Sequence, residues 1–156
     1  MDASNSEEQV RAWWTHNSNA NVAIARGPSS LAVTDTDHGL KDAEGAREFL
    51  RKHLGVSATY AVRTGRRDDY GVQYYFTGPI DDVGLWKLGG CEGQIMSLGV
   101  MAAGSVHPVS KERYGVLWGG PPVSTPLSVR GLKSESKQVS MEPGKKIPEG
   151  AGRLMR

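Results

Sequence analysis

The hydrophobic periodicity of the chain changes within its first third, and this change limits the folds that it can adopt. The short apolar runs 21–26 and 31–34 are rich in Val, Ile and Ala, and turn-forming residues separate them at 27–30. Such runs predict two paired β-strands. Over residues 43–54, apolar side chains recur at helical spacing until Gly55 closes the segment, which predicts a helix. The fold therefore needs both strands and helices.

A further helix is predicted near the N-terminus. Asn5 and Ser6 can cap a helix over residues 7–15, and acidic residues follow in its first turn. The apolar side chains of this segment form one stripe, which indicates an amphipathic helix that packs inward. The stripe consists of Val10, Trp13 and Trp14.

The middle of the chain predicts further strands. Residues 59–64 and 72–77 flank a polar loop at 65–71, as in a β-hairpin, and residues 100–103 and 114–118 have the composition of two more strands. Together with the helices, these strands predict an α+β fold. We expect a single compact domain with a mixed or antiparallel sheet flanked by helices.

The chain beyond Pro126 loses this periodicity and gathers Ser, Lys, Glu, Gly and Pro. Its apolar area is too small to offset the entropy of ordering, so we predict a folded domain over residues 1–130 and a flexible tail over 131–156. The tail has six basic and three acidic side chains, a charge of +3, whereas the whole chain has +2 and the body is near −1. A basic tail suits nucleic-acid phosphates, although a merely solvated tail explains the charge equally well.

Cysteine and histidine are scarce. Cys91 is the single cysteine, which excludes an internal disulfide, and the spacing of the four histidines does not resemble a zinc site. No segment approaches the roughly 18 apolar residues that span a bilayer. We therefore expect a soluble, cytoplasmic protein without membrane contact, whose chemistry rests on carboxylates, amides or metals held by oxygen.

Two aspartates follow the second apolar run. Asp35 and Asp37 are two residues apart, and side chains at this spacing project from the same face of a strand. Converging carboxylates repel each other unless a divalent cation bridges them, and hard cations prefer carboxylate oxygen. The spacing allows a metal site, but such pairs more often cap helices or shape turns. An EF-hand is excluded, because Gly39 and Ala46 occupy two of its ligand positions.

Other polar positions give weaker signals. Gln73 lies on a strand that ends in aromatic residues, where its amide could donate a hydrogen bond to a phosphate or simply face solvent. Glu92 and Gln94 lie in the glycine-rich stretch 89–94, which could approach a ligand closely but equally makes an ordinary loop. Each of these signals, taken alone, favours the ordinary structural role.

Taken in order, several segments resemble the N-terminal domain of bifunctional DNA primase–polymerases, a prim-pol domain of the archaeo-eukaryotic primase superfamily that plasmids, phages and integrated elements encode. The similarity covers roughly residues 5–130. The segments that carry it are Asn21–Ile24, Leu31–Asp37, Val62–Gly65, Gly71–Phe76 and Ala102–Pro108, with Tyr114.

The resemblance implies a metal-dependent nucleotidyltransferase. In that family an Asp-x-Asp pair ligates two Mg²⁺ or Mn²⁺ ions, which assigns Asp35 and Asp37 to the metals. A histidine on the following hairpin contacts the triphosphate, and this chain has Gln73 there, which can donate a hydrogen bond but cannot carry a positive charge. A third carboxylate completes the site. A count without gaps selects Glu92, which we take as the third ligand, whereas the family's Gly-acidic-apolar pattern selects Gln94.

Three arginines on or beside the hairpin are expected to offset the charge of the triphosphate, although exposed loop arginines are often only solvated. They are Arg63, Arg66 and Arg67.

The resemblance implies DNA primase/polymerase activity in the replication of a plasmid, phage or integrated element. Its partners would be a DNA template and primer, nucleoside triphosphates and a separate helicase. The alternative is a catalytically silent relative that binds nucleotide or DNA in replication initiation or regulation, which Gln73 and the short segment 97–100 favour. A sugar-nucleotide transferase that uses Asp-x-Asp is a third hypothesis, but it needs a larger acceptor domain than this length provides.

Overall fold

The computed structural model describes residues 3–78 and 83–132, which form an α+β domain with a mostly antiparallel sheet. The predicted fold class is confirmed. The helices are α1 (Glu7–His16), α2 (Ala43–Lys52) and α3 (Leu127–Arg130). The strands are β1 (Ala23–Ala25), β2 (Leu31–His38), β3 (Ala61–Arg63), β4 (Val72–Thr77), β5 (Gly84–Leu88), β6 (Cys91–Ile95), β7 (Gly99–Met101), β8 (Gly115–Trp118) and β9 (Val123–Ser124). None of these helices has the length and hydropathy needed to cross a membrane.

β2 is a central strand of the main sheet. The strand order is β5-β6-β2-β4-β3-β8 with every neighbouring pair antiparallel, and β9 adds to β4 in parallel. β1 and β7 form a separate antiparallel ribbon. β2 has hydrogen-bonded partners on both edges, and residues 32–36 of this strand are all buried. The strand that carries the two aspartates is therefore paired along both edges and covered on both faces over most of its length.

One face of the main sheet packs against α2. This helix begins after Asp42, whose Oδ1 accepts a hydrogen bond from the Gly45 amide at 2.8 Å. Its buried residues are Ala46, Phe49 and Leu50, at the spacing that puts them on one helix face. Phe49 stacks on Trp86 of β5, with the ring centroids 5.7 Å apart. This contact joins α2 to β5 at the edge of the sheet. It belongs to the larger of two hydrophobic cores.

The opposite face of the sheet carries a smaller core. Its buried members are Val33, Val62, Tyr75, Val100 and Tyr114. Because side chains alternate along a strand, Asp35 projects to the same face as Val33. Asp35 and Asp37, two of the three predicted metal ligands, therefore belong to the face away from α2, beside this smaller core.

The two apolar runs separated by residues 27–30 do not pair with each other, so that prediction is wrong. β1 pairs with β7, with Ile24 opposite Val100, whereas β2 pairs with β4 and β6. Short apolar runs indicate strands but not their partners, because the partner depends on register and on chain segments far away in sequence. Both edges of β2 are occupied by strands that come later in the chain.

The N-terminal helix forms where the sequence predicts it, but it does not pack inward. Ser6 caps it, and none of its residues is buried. Trp13 and Trp14 are each 41% exposed. Val10, Trp13 and Trp14 have the i, i+3, i+4 spacing of one helix face, the same spacing as the buried residues of α2. Within the described residues, however, no other element covers this face of α1 closely enough to bury it.

The β5–β6 hairpin replaces what the glycine-rich sequence predicts as an ordinary loop. Leu88 pairs with Cys91, which leaves Gly89 and Gly90 as a two-residue turn with φ angles of 59° and 80°. Positive φ at both turn residues favours glycine, and this turn matches the twist of the two strands. Glu92 and Gln94 consequently lie on a strand of the main sheet rather than in a loop.

The expectation of a structureless chain beyond Pro126 is wrong for residues 127–132. Val129 and Leu132 are buried in the larger core, and the Ser128 hydroxyl donates to the Leu54 carbonyl oxygen at 2.6 Å. Two apolar residues suffice here because the pairing of β9 with β4 and the hydrogen bond to Leu54 already hold this segment against the core. Residues 133–156, which make up most of the predicted tail, lie outside the described residues.

Candidate active site

The candidate site is centred on Asp35 of β2, on the face of the sheet away from α2. Asp35 lies opposite Gln73 of β4 on one side and opposite Gln94 of β6 on the other. Directly opposed residues in antiparallel strands project their side chains to the same face. Two glutamine amides therefore flank the carboxyl group.

The carboxyl group of Asp35 is largely withdrawn from solvent, with 8% of the residue exposed. Its Oδ2 accepts a hydrogen bond from Gln73 Nε2 at 3.3 Å, whereas its buried Oδ1 has no hydrogen-bond partner among the described residues. Burial, and then the charge of Asp37, raise the pKa of Asp35 to about 7. Either a proton or a metal ion on this group would relieve the cost of a buried charge.

Tyr75 sets the orientation of the Gln73 amide. The Tyr75 hydroxyl donates to Gln73 Oε1 at 3.0 Å, so the Nε2 of the same amide is left to face Asp35. Both residues are buried and stand two positions apart on β4, which puts their side chains on one face. This role of Tyr75 was not predicted from the sequence. The i+2 spacing between Gln73 and Tyr75 is a signal that could have indicated it.

Asp37 lies at the more open end of the site. Its Oδ1 accepts a hydrogen bond from Arg66 Nη1 at 2.9 Å, and the two side chains are 27% and 23% exposed. The Nη2 and Nε of Arg66 reach the carboxylate of Asp68 at 3.3 and 3.4 Å. Arg66 thus ties the loop between β3 and β4 to the end of β2.

The other two predicted arginines do not contact the aspartates. The pairing of β3 with β4 puts Arg63 on the α2 side of the sheet, where its guanidinium lies 4.9 Å from the centroid of the Tyr70 ring. Arg67 contacts Glu112 Oε1 through Nη2 at 2.5 Å. Of the three, Arg66 is the one beside the carboxylates.

A rim of two loops borders the aspartates. The Ser110 hydroxyl donates to the Gly65 carbonyl oxygen, and the ion pair between Arg67 and Glu112 joins the same two loops. Tyr114, at the end of the second loop, is buried, and its burial together with the charges of Asp35 and Asp37 raises the pKa of its hydroxyl. The site is therefore bounded by an aromatic side chain and by a loop pair with several polar contacts.

A family model described as bifunctional DNA primase/polymerase, N-terminal, matches residues 1–128. The chain belongs to this family. No curated protein matches it. The matched range contains every described strand and both long helices, so the whole candidate site lies inside the primase/polymerase domain.

In this primase/polymerase domain, the register of β6 determines which residue lies nearest to Asp35. Gln94 is directly opposite Asp35, whereas Glu92 lies opposite His38, beyond an irregularity in the pairing. Glu92 is half exposed, and its Oε1 accepts a hydrogen bond from Lys87 Nζ at 2.7 Å, which lowers the pKa of Glu92. The structure places Gln94 beside Asp35, whereas the Glu92 carboxylate is paired with Lys87.

The donor set fits a hard divalent cation at two residues. Asp35 and Asp37 offer carboxylate oxygens, the ligands that Mg²⁺ and Mn²⁺ prefer. The unpartnered Oδ1 of Asp35 is the feature that favours a cation most specifically. Within residues 3–78 and 83–132, no group of three or more His, Cys, Asp and Glu side chains is arranged to hold a metal. The residues of the described chain that could hold a divalent cation are therefore Asp35 and Asp37.

Proposed function

We propose that this domain binds a nucleoside triphosphate together with Mg²⁺ or Mn²⁺ at Asp35 and Asp37, and transfers the nucleotide to a primer on a DNA template. The observation that supports the proposal most directly is the pair of aspartates on one strand, with Asp35 Oδ1 lacking a partner in the described chain. Membership of the DNA primase/polymerase family supports DNA and nucleotides as the ligands.

The roles of the individual residues follow from their positions. Asp35 and Asp37 would hold the cations, which in such centres activate the primer hydroxyl and neutralise phosphate charge. Arg66 is the arginine placed to meet phosphate oxygens, because it already lies beside Asp37. Gln73 orients Asp35 through its amide, but it cannot carry a charge to the triphosphate.

Primer extension on a DNA template tests this proposal. The wild-type chain should extend a primer with Mn²⁺ or Mg²⁺, and Asp35→Asn or Asp37→Asn should lower the rate about 100-fold or more, because each removes charge that stabilises the transition state. Asp68→Asn is a matched control, since it removes a carboxylate that is 75% exposed at the outer side of Arg66. Asp35→Asn and Asp37→Asn variants that extend the primer at the wild-type rate would contradict the proposal.

Binding without transfer is the second candidate function. The observation that favours it is the pair of amides, Gln73 and Gln94, on the two strands beside Asp35. An amide supplies neither a positive charge for the triphosphate nor a negative charge for the metal. Such a domain would still bind nucleotide or DNA, in replication initiation or its regulation.

The double substitution Gln73→His, Gln94→Asp separates the two candidates. If the domain binds without transfer, the wild-type chain should bind nucleotide but extend no primer, and the double variant should gain extension that depends on Mn²⁺. Glu92→Gln serves as a control, because Glu92 is engaged with Lys87 rather than with the site. Primer extension by the wild-type chain itself would decide for transfer.

The cellular context belongs to the same proposal. Replication of a plasmid, phage or integrated element, in the cytoplasm and with a separate helicase, is what the resemblance to prim-pol domains implies. Co-expression with a replicative helicase, followed by a plasmid-maintenance assay, would test this context.

A further inference from the structure

The loop between β3 and β4 brings one positive charge to the aspartates. Arg66 contacts Asp37 through Nη1, while its Nη2 and Nε reach Asp68. Asp37 and Arg66 are mostly covered, whereas Asp68 is largely exposed. The guanidinium group therefore bridges an inner carboxylate of the site and an outer carboxylate at the solvent boundary.

The backbone around Arg66 is held in place. A side-chain carbon added at Gly71 would collide with the Thr64 hydroxyl and would contact Arg66 Cδ at 3.4 Å, so glycine allows the ends of β3 and β4 to approach each other beside Arg66. The Arg66 carbonyl oxygen accepts a hydrogen bond from Arg63 Nη2 at 3.4 Å, and the carbonyl oxygen of the preceding residue, Gly65, accepts one from the Ser110 hydroxyl. Because the backbone is anchored at these two positions, the Arg66 side chain is the part of the loop that can exchange one charged partner for another.

The charges of the site make this exchange selective. A divalent cation at Asp37 would bring a second positive group to the carboxylate that Arg66 contacts, and like charges at this distance repel. A triphosphate, by contrast, offers several anionic oxygens, and the planar guanidinium group matches phosphate oxygens well. A ligand that attracts Arg66 outward therefore frees Asp37 for a cation.

We propose that Arg66 makes the site take a divalent cation and a triphosphate as a pair. The triphosphate draws Arg66 away from Asp37, and the cation replaces Arg66 at that carboxylate. The cation alone would have to displace Arg66 from Asp37, and the triphosphate alone would have to draw Arg66 away and leave Asp37 without a cation. Each ligand lowers this cost for the other, so the two bind with positive coupling. This inference rests on the proposed function and adds to it a rule for how the two ligands enter.

Binding of Mn²⁺ alone to the full chain gives the first test, with free Mn²⁺ measured by electron paramagnetic resonance. Without nucleotide, Arg66→Gln should bind Mn²⁺ about tenfold more tightly than the wild type, because it removes a competing charge-assisted contact. Arg67→Gln removes the same charge one residue away, from an ion pair with Glu112, and should leave the affinity unchanged. Arg66→Lys keeps the charge without the planar fork and should lie between the two.

Binding of dATP gives the second test. In EDTA, Arg66→Gln should bind dATP about tenfold more weakly than the wild type, because the phosphate loses a charge-assisted partner. Added Mn²⁺ should then strengthen dATP binding more in the wild type than in Arg66→Gln, after correction for the Mn²⁺–dATP complex in solution. Equal strengthening in both proteins would show that Arg66 does not couple the ligands.

The outcomes distinguish this inference from the proposed function. Three results would overturn the proposed coupling by Arg66. Arg66→Gln could bind Mn²⁺ with the wild-type affinity, it could bind no Mn²⁺, or Arg67→Gln could change the affinity by the same factor. If Asp37→Asn nevertheless loses Mn²⁺, the metal site of the proposed function stands. If Asp37→Asn binds Mn²⁺ like the wild type, both fail. Melting temperatures of all variants, measured in parallel, establish that each one is folded.

Discussion

Among the residues of the site, Asp35 makes the stability of the domain depend on pH between acid and neutral conditions. Its pKa lies near 7 in the folded chain against an ordinary value of 3.8, chiefly because the carboxyl group is buried. Between these two values the folded state retains a proton that the unfolded chain has released. The free energy of unfolding is therefore highest, as far as Asp35 is concerned, below its ordinary pKa of 3.8, where the group is protonated in both states. This contribution is lost as the pH rises towards about 7.

Asp35→Asn should accordingly stabilise the metal-free domain above neutral pH, since asparagine has no charge to bury. At about pH 8 in EDTA the gain should be up to about 4 kcal/mol, at about 1.4 kcal/mol for each unit of pKa shift, and it should vanish near pH 4. Thermal unfolding followed by circular dichroism measures it. Asp68→Asn is the control, because Arg66 lowers the pKa of Asp68 and its replacement should give no such gain. A wild-type domain that unfolds at a higher temperature than Asp35→Asn at about pH 8 would contradict this account.

The residues of the site differ in how far local sequence predicts them. Asp35 and Asp37 share a strand, so alternation alone puts them on one face. The choice between Glu92 and Gln94 depends on the register of β6 against β2, which the glycine turn of the neighbouring hairpin and an irregularity near Thr36 set together. Register is a property of two paired strands, and no count along one segment supplies it.

Among the elements, those defined by their own periodicity agree with the sequence. α2 and the β3–β4 hairpin form where the pattern predicts them, with Val62 opposite Gln73. The β5–β6 hairpin was missed because its four glycines dilute the apolar signal, and its one large anchor, Trp86, is buried against Phe49 of α2, which is distant in sequence. Elements that rely on distant partners for burial are the ones that local pattern does not reveal.

Gly93 lies where β6 packs closely against both β2 and the Trp86 ring. An added side-chain carbon would meet the Asp35 carbonyl oxygen and lie 2.6 Å from the Trp86 ring. Gly93→Ala should therefore push β6 away from β2 and cost about 3 kcal/mol, the upper end for overpacking a core. Gly27→Ala is the control, because nothing lies within 4 Å of its added carbon. Urea unfolding of both variants measures the difference, and equal stability would mean that β6 has room to move.

At the level of the whole molecule, the described fold includes Leu132, which is buried in the larger core two residues beyond the predicted end of the domain at Arg130. Truncation after Leu132 should leave the melting temperature unchanged, because residues 133–156 lack hydrophobic periodicity. Truncation after Pro126 also removes Val129 and Leu132 from the core and should cost about 3 kcal/mol or more. Calorimetry of both truncated chains measures this contrast, and a large loss after Leu132 would show that the tail is docked.

The same truncation after Leu132 removes the basic excess of the chain. It takes away six basic and three acidic side chains, so the remaining body is close to −1. DNA binding should weaken at low salt, and the dependence of affinity on salt concentration should become less steep, because fewer counterions are released. Fluorescence anisotropy with a labelled DNA strand over a series of salt concentrations measures both effects. An unchanged salt dependence would assign the DNA contacts to the folded body.

The confinement of β2 between β4 and β6 has a consequence for how this domain can evolve. The peptide groups that position Asp35, Gln73 and Gln94 belong to continuous ladders whose geometry does not depend on which side chains they present. Substitutions at the site positions of these strands can therefore remove or restore a charge while the paired backbone keeps its course. On the proposed function, a domain of this kind could lose or regain catalysis through a few side-chain changes, while the fold passes from ancestor to descendant intact.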